Sequence, residues 1–460
     1  MWHLLSLLGL VQLFNSHATA IDVDITNDAS VKEAAATIAY GAVKFYTGNN
    51  TGDVPGNLPD PYYWWQAGAM FGALLDYWAF TGDDSYNEIT YQAMWHQRGD
   101  DYDYMPTNQT RALGNDDQGF WALASMSAAE LNFQNPPEGE PGWLGLTQAI
   151  FNEYVQRWNE ASDSCNGGLR WQIYTFNNGY TYKNSISNGC FFNIAARLAR
   201  FTGNTTYADW ATKIFEWQQG VGFINDEWTV RDGAGVAEGA NCTEINGALF
   251  TYNAGIFLHG AAYMYNFTES DTWKTRVQGM VDSVSKTMFQ GGIMWEPPCE
   301  TTSGSCNNDQ RTFKGLLSRW MAATAKLAPF TYDQVMGLLQ STAKAAAQHC
   351  VGSPSNFKGH PGTACTFSWF ADSTYEETSG VGEQLNAMSV IMTMLVDSAM
   401  SPFTSNTGGT SAGHVDGGVS DDSKLDKPRE ITNADRAGAG ILTTLIIGSL
   451  LGAVVFLVKD

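Results

Sequence analysis

Twelve stretches of helical period follow one another along this chain of 460 residues, and they alternate between two kinds. One kind carries charge on one face: SVKEAAATIAYGAVKFY from Ser30, SYNEITYQAMWHQR from Ser85, LTQAIFNEYVQRW from Leu146, TYADWATKIFEWQQ from Thr206, TWKTRVQGMVDSVSKTMF from Thr272 and YDQVMGLLQSTAKAAAQH from Tyr332. The other is apolar and small nearly all round: WWQAGAMFGALLDYWAF from Trp64, DDQGFWALASMSAAELNF from Asp116, SNGCFFNIAARLARF from Ser187, NGALFTYNAGIFLHGAAYMY from Asn246, TFKGLLSRWMAATAKL from Thr312 and EQLNAMSVIMTMLVDSAM from Glu383. A helix with one apolar face belongs at a surface, and one apolar on every side belongs inside. Six of each in alternation predict two concentric rings, an all-α (α/α)6 barrel of six helical hairpins over residues 22–400. Internal echoes agree with repeated hairpins. FTGDDSY from Phe80, FTGNTTY from Phe201 and FTESDTW from Phe267 each fall at an inner-to-outer turn, and GGLRW at Gly167 matches GGIMW at Gly291.

The two ends read differently. MWHLLSLLGLVQLFNSHATA, residues 1–20, has the apolar stretch and the small-residue Ala18-Thr19-Ala20 site of a secretory signal peptide, without a basic residue ahead of it. Residues 401–437 are rich in Gly, Ser, Thr and Asp and read as a flexible stalk. The apolar run ILTTLIIGSLLGAVVFLV from Ile441 is long enough for a spanning helix. Small residues at Asn433, Ala434 and Asp435, a short polar spacer and the stop at Asp460 fit a GPI-attachment signal better, with 438–460 removed in the mature protein. An outer-surface location follows. The cysteines suit that compartment: Cys299–Cys306 and Cys350–Cys365 close short loops and read as disulfides, leaving Cys165, Cys190 and Cys242 for one bridge and one thiol. Asn49, Asn108, Asn204, Asn241 and Asn266 open glycosylation triplets. With 25 basic against 47 acidic residues the formal charge is −22, which argues against a nucleic-acid partner.

The candidate chemistry lies in GNDDQGFW, residues 114–121, where an inner helix begins. Adjacent aspartates at a helix start ordinarily serve as caps. If Asn115 is the N-cap and Gln118 its reciprocal partner, however, Asp116 and Asp117 are left free in the first turn. Neighbouring carboxyls resist double ionisation, so one is driven acidic and the other basic, as a nucleophile and a general acid require. Their adjacency favours the short separation of retaining glycosidases. RWQIYTFNNGYTYKNSISNG from Arg170, rich in amides and aromatics, suits neutral-sugar hydroxyls. Trp171, Gln172, Asn184 and Asn188 are therefore candidate cleft residues, with a capping role as the alternative for Asn188. Trp65, Gln66, Asn115 and Tyr252 join them, although Tyr252 also suits the core. DDYDY (Asp100, Asp101, Asp103) reads as a solvated loop before a rival acid pair or calcium site. The seven histidines show no HExxH spacing, His259 reads as a core residue, and no metal or organic cofactor is expected.

YYWWQAGAMFGALLDYWAFTGD, GNDDQGFWALASMSAAE, GGLRWQIYTFNNGYTYKNSISNGCFFNIAARLAR and NCTEINGALFTYNAGIFLHGAAYMYN resemble glycoside hydrolase family 76, in its fungal branch of GPI-anchored mannan endo-1,6-α-mannosidase-like wall proteins. The resemblance runs the length of the chain. It implies the (α/α)6 fold, a retaining mechanism on α-1,6-linked mannose, Asp116 as nucleophile and Asp117 as acid/base. It further implies mannan or the mannose core of GPI glycans as donor, and water (hydrolysis) or wall glucan (transglycosylation) as acceptor. The competing expectation is a carbohydrate-binding or structural wall protein without chemistry.

Overall fold

The computed structural model describes residues 21–301, 306–370, 379–419 and 433–457. The expected signal peptide lies outside them. Twelve helices form the rings. The outer members are α1 (Asp28–Val43), α3 (Asn87–Gln97), α5 (Trp143–Glu160), α7 (Thr205–Gly220), α9 (Asp271–Thr287) and α11 (Tyr332–Gln348). The inner members are α2 (Trp64–Thr81), α4 (Asn115–Glu130), α6 (Ser185–Thr202), α8 (Thr251–Thr268), α10 (Phe313–Leu327) and α12 (Val381–Met392). Each inner helix packs on the next, and α12 returns to α2, so the ring closes. Inner-helix burial is nearly complete: in α6 only Arg200 and Thr202 escape it.

The repeated FTG turns have one local cause. Gly82 and Gly203 end their helices at φ of 77° and 74°, and Glu269 takes the same left-handed position at 51°. In each turn a threonine hydroxyl bonds both ways: Thr81, Thr202 and Thr268 donate to the carbonyls of Tyr77, Leu198 and Met264 at 2.6, 2.7 and 2.7 Å. The same hydroxyls accept the N–H groups of Asp83, Asn204 and Ser270 at 3.1, 3.2 and 3.4 Å. They thereby tie the exposed helix end to the start of the next element.

Short strands, absent from the all-α expectation, occupy the loops. β1 (Tyr182–Asn184), β2 (Gly233–Gly235) and β3 (Ile245–Asn246) form one antiparallel sheet. The helix expected from Asn246 consequently starts at Thr251, whose N–H is capped by Glu296 Oε1 at 2.9 Å. Three disulfides are present, Cys165–Cys242, Cys299–Cys306 and Cys350–Cys365, and Cys190 is a buried thiol. All five glycosylation asparagines are exposed. Asn204 also caps α7 through the N–H of Thr206 at 2.9 Å, and Asn266 accepts from Arg200 at 2.8 Å.

The expected stalk needs correction at its start. Residues 401–419 belong to the compact unit that ends at Val419. Phe403 N–H donates to Glu130 O at 2.7 Å, Ser405 N–H to Phe201 O at 2.9 Å and Gly145 N–H to Ala412 O at 3.2 Å. Gln148 accepts from His414 N–H at 2.7 Å, and Asn152 donates to the carbonyls of Val415 and Gly417 at 2.9 and 2.8 Å. Small and polar composition here serves backbone pairing along α5, where side chains would hold the strap away. Residues 433–457 form a separate helix, α13, whose apolar side chains from Ile441 to Leu451 are exposed.

Truncation tests that boundary. Deleting 420–460 should leave the melting temperature unchanged. Deleting from 401 onward removes a row of hydrogen bonds worth ~0.5–1.5 kcal/mol each and should lower it by several degrees in a thermal unfolding scan.

Candidate active site

The inner helices run in one direction, and the loops leading into their N-termini surround a cleft of about 590 Å³. Asp116 and Asp117 lie on its floor in the first turn of α4. Their side chains are partly open to the cleft, and each carboxylate is fixed differently. Asp116 Oδ2 accepts Trp171 Nε1–H at 2.9 Å and Oδ1 accepts the N–H of Asp117 at 3.1 Å. Asp117 Oδ2 accepts the N–H of Gly114 at 2.7 Å, and Gly114 is the residue that caps the helix. Thus Asp117 performs the reciprocal capping expected of Gln118, and does so with one oxygen. Gln118 is buried and turned outward, donating to Asp103 O at 2.6 Å and Glu153 at 2.8 Å and accepting from Arg157.

Gly114 is required here for space. Its φ of −98° suits any residue. An added Cβ would, however, lie 2.4 Å from Asp116 Oδ1, 2.7 Å from Asp117 Oδ2 and 3.1 Å from Trp171 O. Both carboxylates crowd one point, so these two oxygens are closer together than the sum of the first two distances. That is within the reach of a retaining pair, whose carboxyl groups sit about 5–5.5 Å apart.

The β-sheet positions the partner of Asp116. Trp171 N–H donates to Tyr182 O at 2.7 Å, and Asn115 N–H donates to Trp171 O at 2.9 Å, so the loop is stitched between β1 and the start of α4. Behind it the buried Lys183 ammonium donates to the carbonyls of Ala161, Ser164 and Gly167 at 2.7–2.8 Å. The carbonyls satisfy its three donors without a carboxylate.

Burial first, moderated by hydrogen bonds to Trp171 and backbone N–H groups, raises the pKa of Asp116 above the usual carboxylate range. Asp117 is raised well above it, by burial first and then by the charge on Asp116. Two charges at such separation in a partly dry site repel strongly, so the pair retains a proton that a solvated pair would lose. Asp116, holding more donated hydrogen bonds, is the better seat for the anion. Asp309 raises both further through its own charge.

The structure sorts the other sequence candidates. Trp65, Trp171, Gln172, Asn184 and Tyr252 line the cleft. Asn184 also caps α6 through Ser187 N–H at 3.2 Å, and Tyr252 lies flat on Phe313 with centroids 3.7 Å apart. Gln66, Asn115 and Asn188 are buried and leave the cleft lining to others. Gln66 accepts from Tyr63 N–H and donates to Thr312 and Asn308 O. Asn115 donates to Arg170 O at 2.8 Å and accepts from Arg157 at 2.9 Å. Asn188 takes neither expected role: it accepts Leu169 N–H and donates to Leu169 O, clamping the GGLRW loop from below. A polar residue at a helix start has several buried backbone groups within reach, and here those groups win over the cleft.

Two acids were missed. Asp232 accepts from Tyr182 at 2.7 Å and faces the cleft. Asp309 accepts Trp65 Nε1–H at 2.8 Å across from the pair. A signal for the second existed: Asn308-Asp309-Gln310 precedes α10 as Asn115-Asp116-Asp117-Gln118 opens α4. DDYDY supplies no site. Asp103 is buried and caps Met105 N–H at 3.0 Å, and no metal-ligating cluster exists among the described residues.

The model of glycosyl hydrolase family 76 matches residues 30–406. Mannan endo-1,6-alpha-mannosidase DCW1 of Saccharomyces cerevisiae is 45% identical over 99% of this chain and 98% of its own length. Mannan endo-1,6-alpha-mannosidase DFG5 of the same yeast is 42% identical over 95% of this chain and 94% of its own. The crystal structure of Dfg5 from Chaetomium thermophilum in complex with glucosamine superposes with a TM-score of 0.81 at 45% identity, covering 86% of this chain and 97% of that one. The alpha-1,6-mannanase GH76A of Salegentibacter sp. HEL1_6 shares the fold at a TM-score of 0.61 and 20% identity, over 80% of this chain and 99% of that one. With the match spanning most of the chain and relatives alike over their full lengths, the chain belongs to glycosyl hydrolase family 76.

Proposed function

We propose that this protein is a retaining, endo-acting α-1,6-mannosidase or transglycosidase of the fungal cell surface. Its donor is the mannose core of a GPI glycan or α-1,6-mannan, and its acceptor is water or wall glucan. The observation that carries the reading is the asymmetry of the pair. Asp116 has donors on both oxygens, whereas Asp117 has one oxygen on Gly114 and the higher proton affinity. In the first step Asp117 gives its proton to the glycosidic oxygen while Asp116 attacks the anomeric carbon from the opposite face, and a mannosyl-enzyme forms. Asp117, now ionised, then takes a proton from the acceptor hydroxyl as that oxygen displaces Asp116.

The walls suit a neutral sugar. Trp65, Trp171 and Tyr252 offer ring faces to C–H groups, and Gln172, Asn177 and Asn184 offer amides. Four acidic side chains against the single arginine Arg111 in the cleft lining disfavour an anionic substrate, which weighs against a lyase acting on acidic polysaccharides. Two full-length relatives bear the name mannan endo-1,6-alpha-mannosidase. The Chaetomium relative was crystallised in complex with glucosamine, itself a sugar. An exposed apolar helix at the chain end supports a GPI-attachment signal there. Among the described residues no helix is long and apolar enough to cross a membrane; release of the protein from intact cells by phosphatidylinositol-specific phospholipase is the expected result, and retention would overturn the lipid anchor.

Replacing either aspartate by asparagine should lower turnover of α-1,6-mannooligosaccharides by ~10²–10⁴-fold. With an aryl α-mannoside that needs no protonation to leave, Asp117→Ala should still form the mannosyl-enzyme and Asp116→Ala should not, as read by mass spectrometry of the intact protein. Wild-type turnover by both asparagine variants would remove the assignment. Binding of the glycans by wild type with no product, even with acceptors supplied, would establish a lectin. Product analysis with and without glucan oligosaccharides separates hydrolysis from transfer.

The pH profile tests the pair independently. Activity requires one proton on the pair, so kcat/KM should fall on the acid side as Asp116 protonates and on the alkaline side as Asp117 ionises. Asp309 raises both groups, so Asp309→Asn should move both limbs to lower pH while keeping the oxygen that accepts from Trp65. Unmoved limbs would place the titration elsewhere.

A further inference from the structure

Among the described residues four aromatic side chains are exposed: Tyr63, Trp171, Phe176 and Phe330. Scattered singly they would need no explanation, but three of the four gather at the cleft. Tyr63 and Trp171 line it, and Phe176 lies on the loop whose next two residues, Asn177 and Asn178, line it as well. Phe176 is the most exposed of them, at 67%, and the proposed reaction gives it no part. We propose that Phe176, backed by Tyr174, is a platform on which a further sugar ring of a neutral glycan chain stacks where the chain leaves the cleft. This rests on the reading of the cleft as a glycan site and extends that site past the ring held at the catalytic pair.

Local structure builds the platform. The Asn177 N–H donates to Tyr174 O at 3.0 Å and closes a turn that contains Phe176. Phe176 stacks on Tyr174 with ring planes 13° apart and centroids 5.3 Å apart. Tyr174 packs against the main core, so the pair projects from the core into solvent. A second turn, from Tyr180 N–H to Asn177 O at 3.2 Å, brings the chain back to Trp171. Gly179 has a φ of 99°, and a Cβ there would fall 2.4 Å from the Trp171 ring, so the loop rests on the indole that holds Asp116. Asn177 donates to Gln172 Oε1 at 3.2 Å, and Arg170 donates to Tyr180 O at 3.3 Å. A ring fixed in this way needs little ordering when a ligand arrives.

The ligand chemistry follows from the mixture. A flat apolar ring suits the C–H face of a pyranose. The amide of Asn178, exposed two residues on, can both donate to and accept from its hydroxyls. The core of a protein interface would be met better by a continuous apolar area than by rings interrupted by amides.

The test is calorimetric titration of the full chain with α-1,6-mannooligosaccharides and with glucan oligosaccharides, each from disaccharide to octasaccharide. Asp116→Asn is carried in every arm to keep the sugars intact. Affinity should rise with length in at least one series. Phe176→Ala should weaken binding of the longest members about three- to tenfold, and Phe176→Trp should restore it. Phe330→Ala removes the exposed ring outside the cleft lining and should bind as the parent does. Loss in the mannose series places the donor chain on the platform, and loss in the glucan series places the acceptor chain there. Equal binding by Phe176→Ala at every length in both series would overturn the proposal, as would an equal loss in Phe330→Ala or no binding of either series. The catalytic reading is scored apart, by kcat/KM with Asp116 restored. Turnover with binding indifferent to Phe176→Ala retires the platform alone, and binding lost in Phe176→Ala without any turnover retires the chemistry alone.

Discussion

Everything chemical in this protein depends on the inner helices sharing one direction. Each outer helix returns the chain to the start of the next inner one, so the N-termini of α2, α4, α6, α8 and α10 open on one cleft. That end therefore collects unpaired backbone N–H groups and the positive ends of the helix dipoles. Acidic side chains come to meet them: Asp116 and Asp117 at α4, Glu296 on the N–H of Thr251 at α8, Asp309 ahead of α10 and Glu383 in the first turn of α12. A cluster of like charges is tolerable there because the scaffold supplies the opposite partial charges.

Within that cluster two of the acids are set apart by what they accept. Glu383 is paired with Arg311, and Glu296 caps a helix with both oxygens, so both are spoken for. Asp116 and Asp117 accept only N–H donors without full charge, and they do so in the cleft. The missing Cβ at Gly114 is what admits both carboxylates to one point. Burial raises the proton affinity of both, the charge on Asp116 raises that of Asp117 further, and the extra donors on Asp116 decide which member holds the anion. Geometry and protonation thus come from the same few contacts.

The sequence made the rings legible because each helix carries its own burial pattern over some fifteen residues, and the inner and outer patterns differ everywhere. The FTG turns were legible because a left-handed cap and a two-way threonine are local devices. The short strands escaped because two or three residues carry no period. The boundary at 401 was misplaced for a related reason: a strap that pairs through its backbone has the composition of a free linker. In the site, adjacency gave Asp116 and Asp117, and aromatic–amide density gave Trp171 and Gln172. Burial separated them from Gln66, Asn115 and Asn188, whose amides are consumed by backbone groups that only the fold brings near. The sequence places Asp309 193 positions from Asp116, so only its local echo of the NDDQ pattern hinted at a shared cleft.

The same polarity explains why the two ends of the ring carry opposite chemistry. At the base the helices present carbonyl groups and negative dipole ends, which favour cations. Lys326 donates to the carbonyls of Val396 and Ala399, and Arg200 to that of Pro402. Asp76 and Glu130 are on the wrong side of this field, toward the C-terminal ends of α2 and α4; Glu130 is matched by Arg197 of the neighbouring α6, and Asp76 by Arg319 of α10, one helix further round the ring. Removing one partner of such a buried pair strands the other charge, at a cost of about 3–5 kcal/mol. The pairs bridge α4 to α6 and α2 to α10, so they also hold the ring shut at the end opposite the cleft. Buried ion pairs thus tie the inner helices together at the end away from the cleft, while the cleft end keeps its acids on backbone and indole N–H groups.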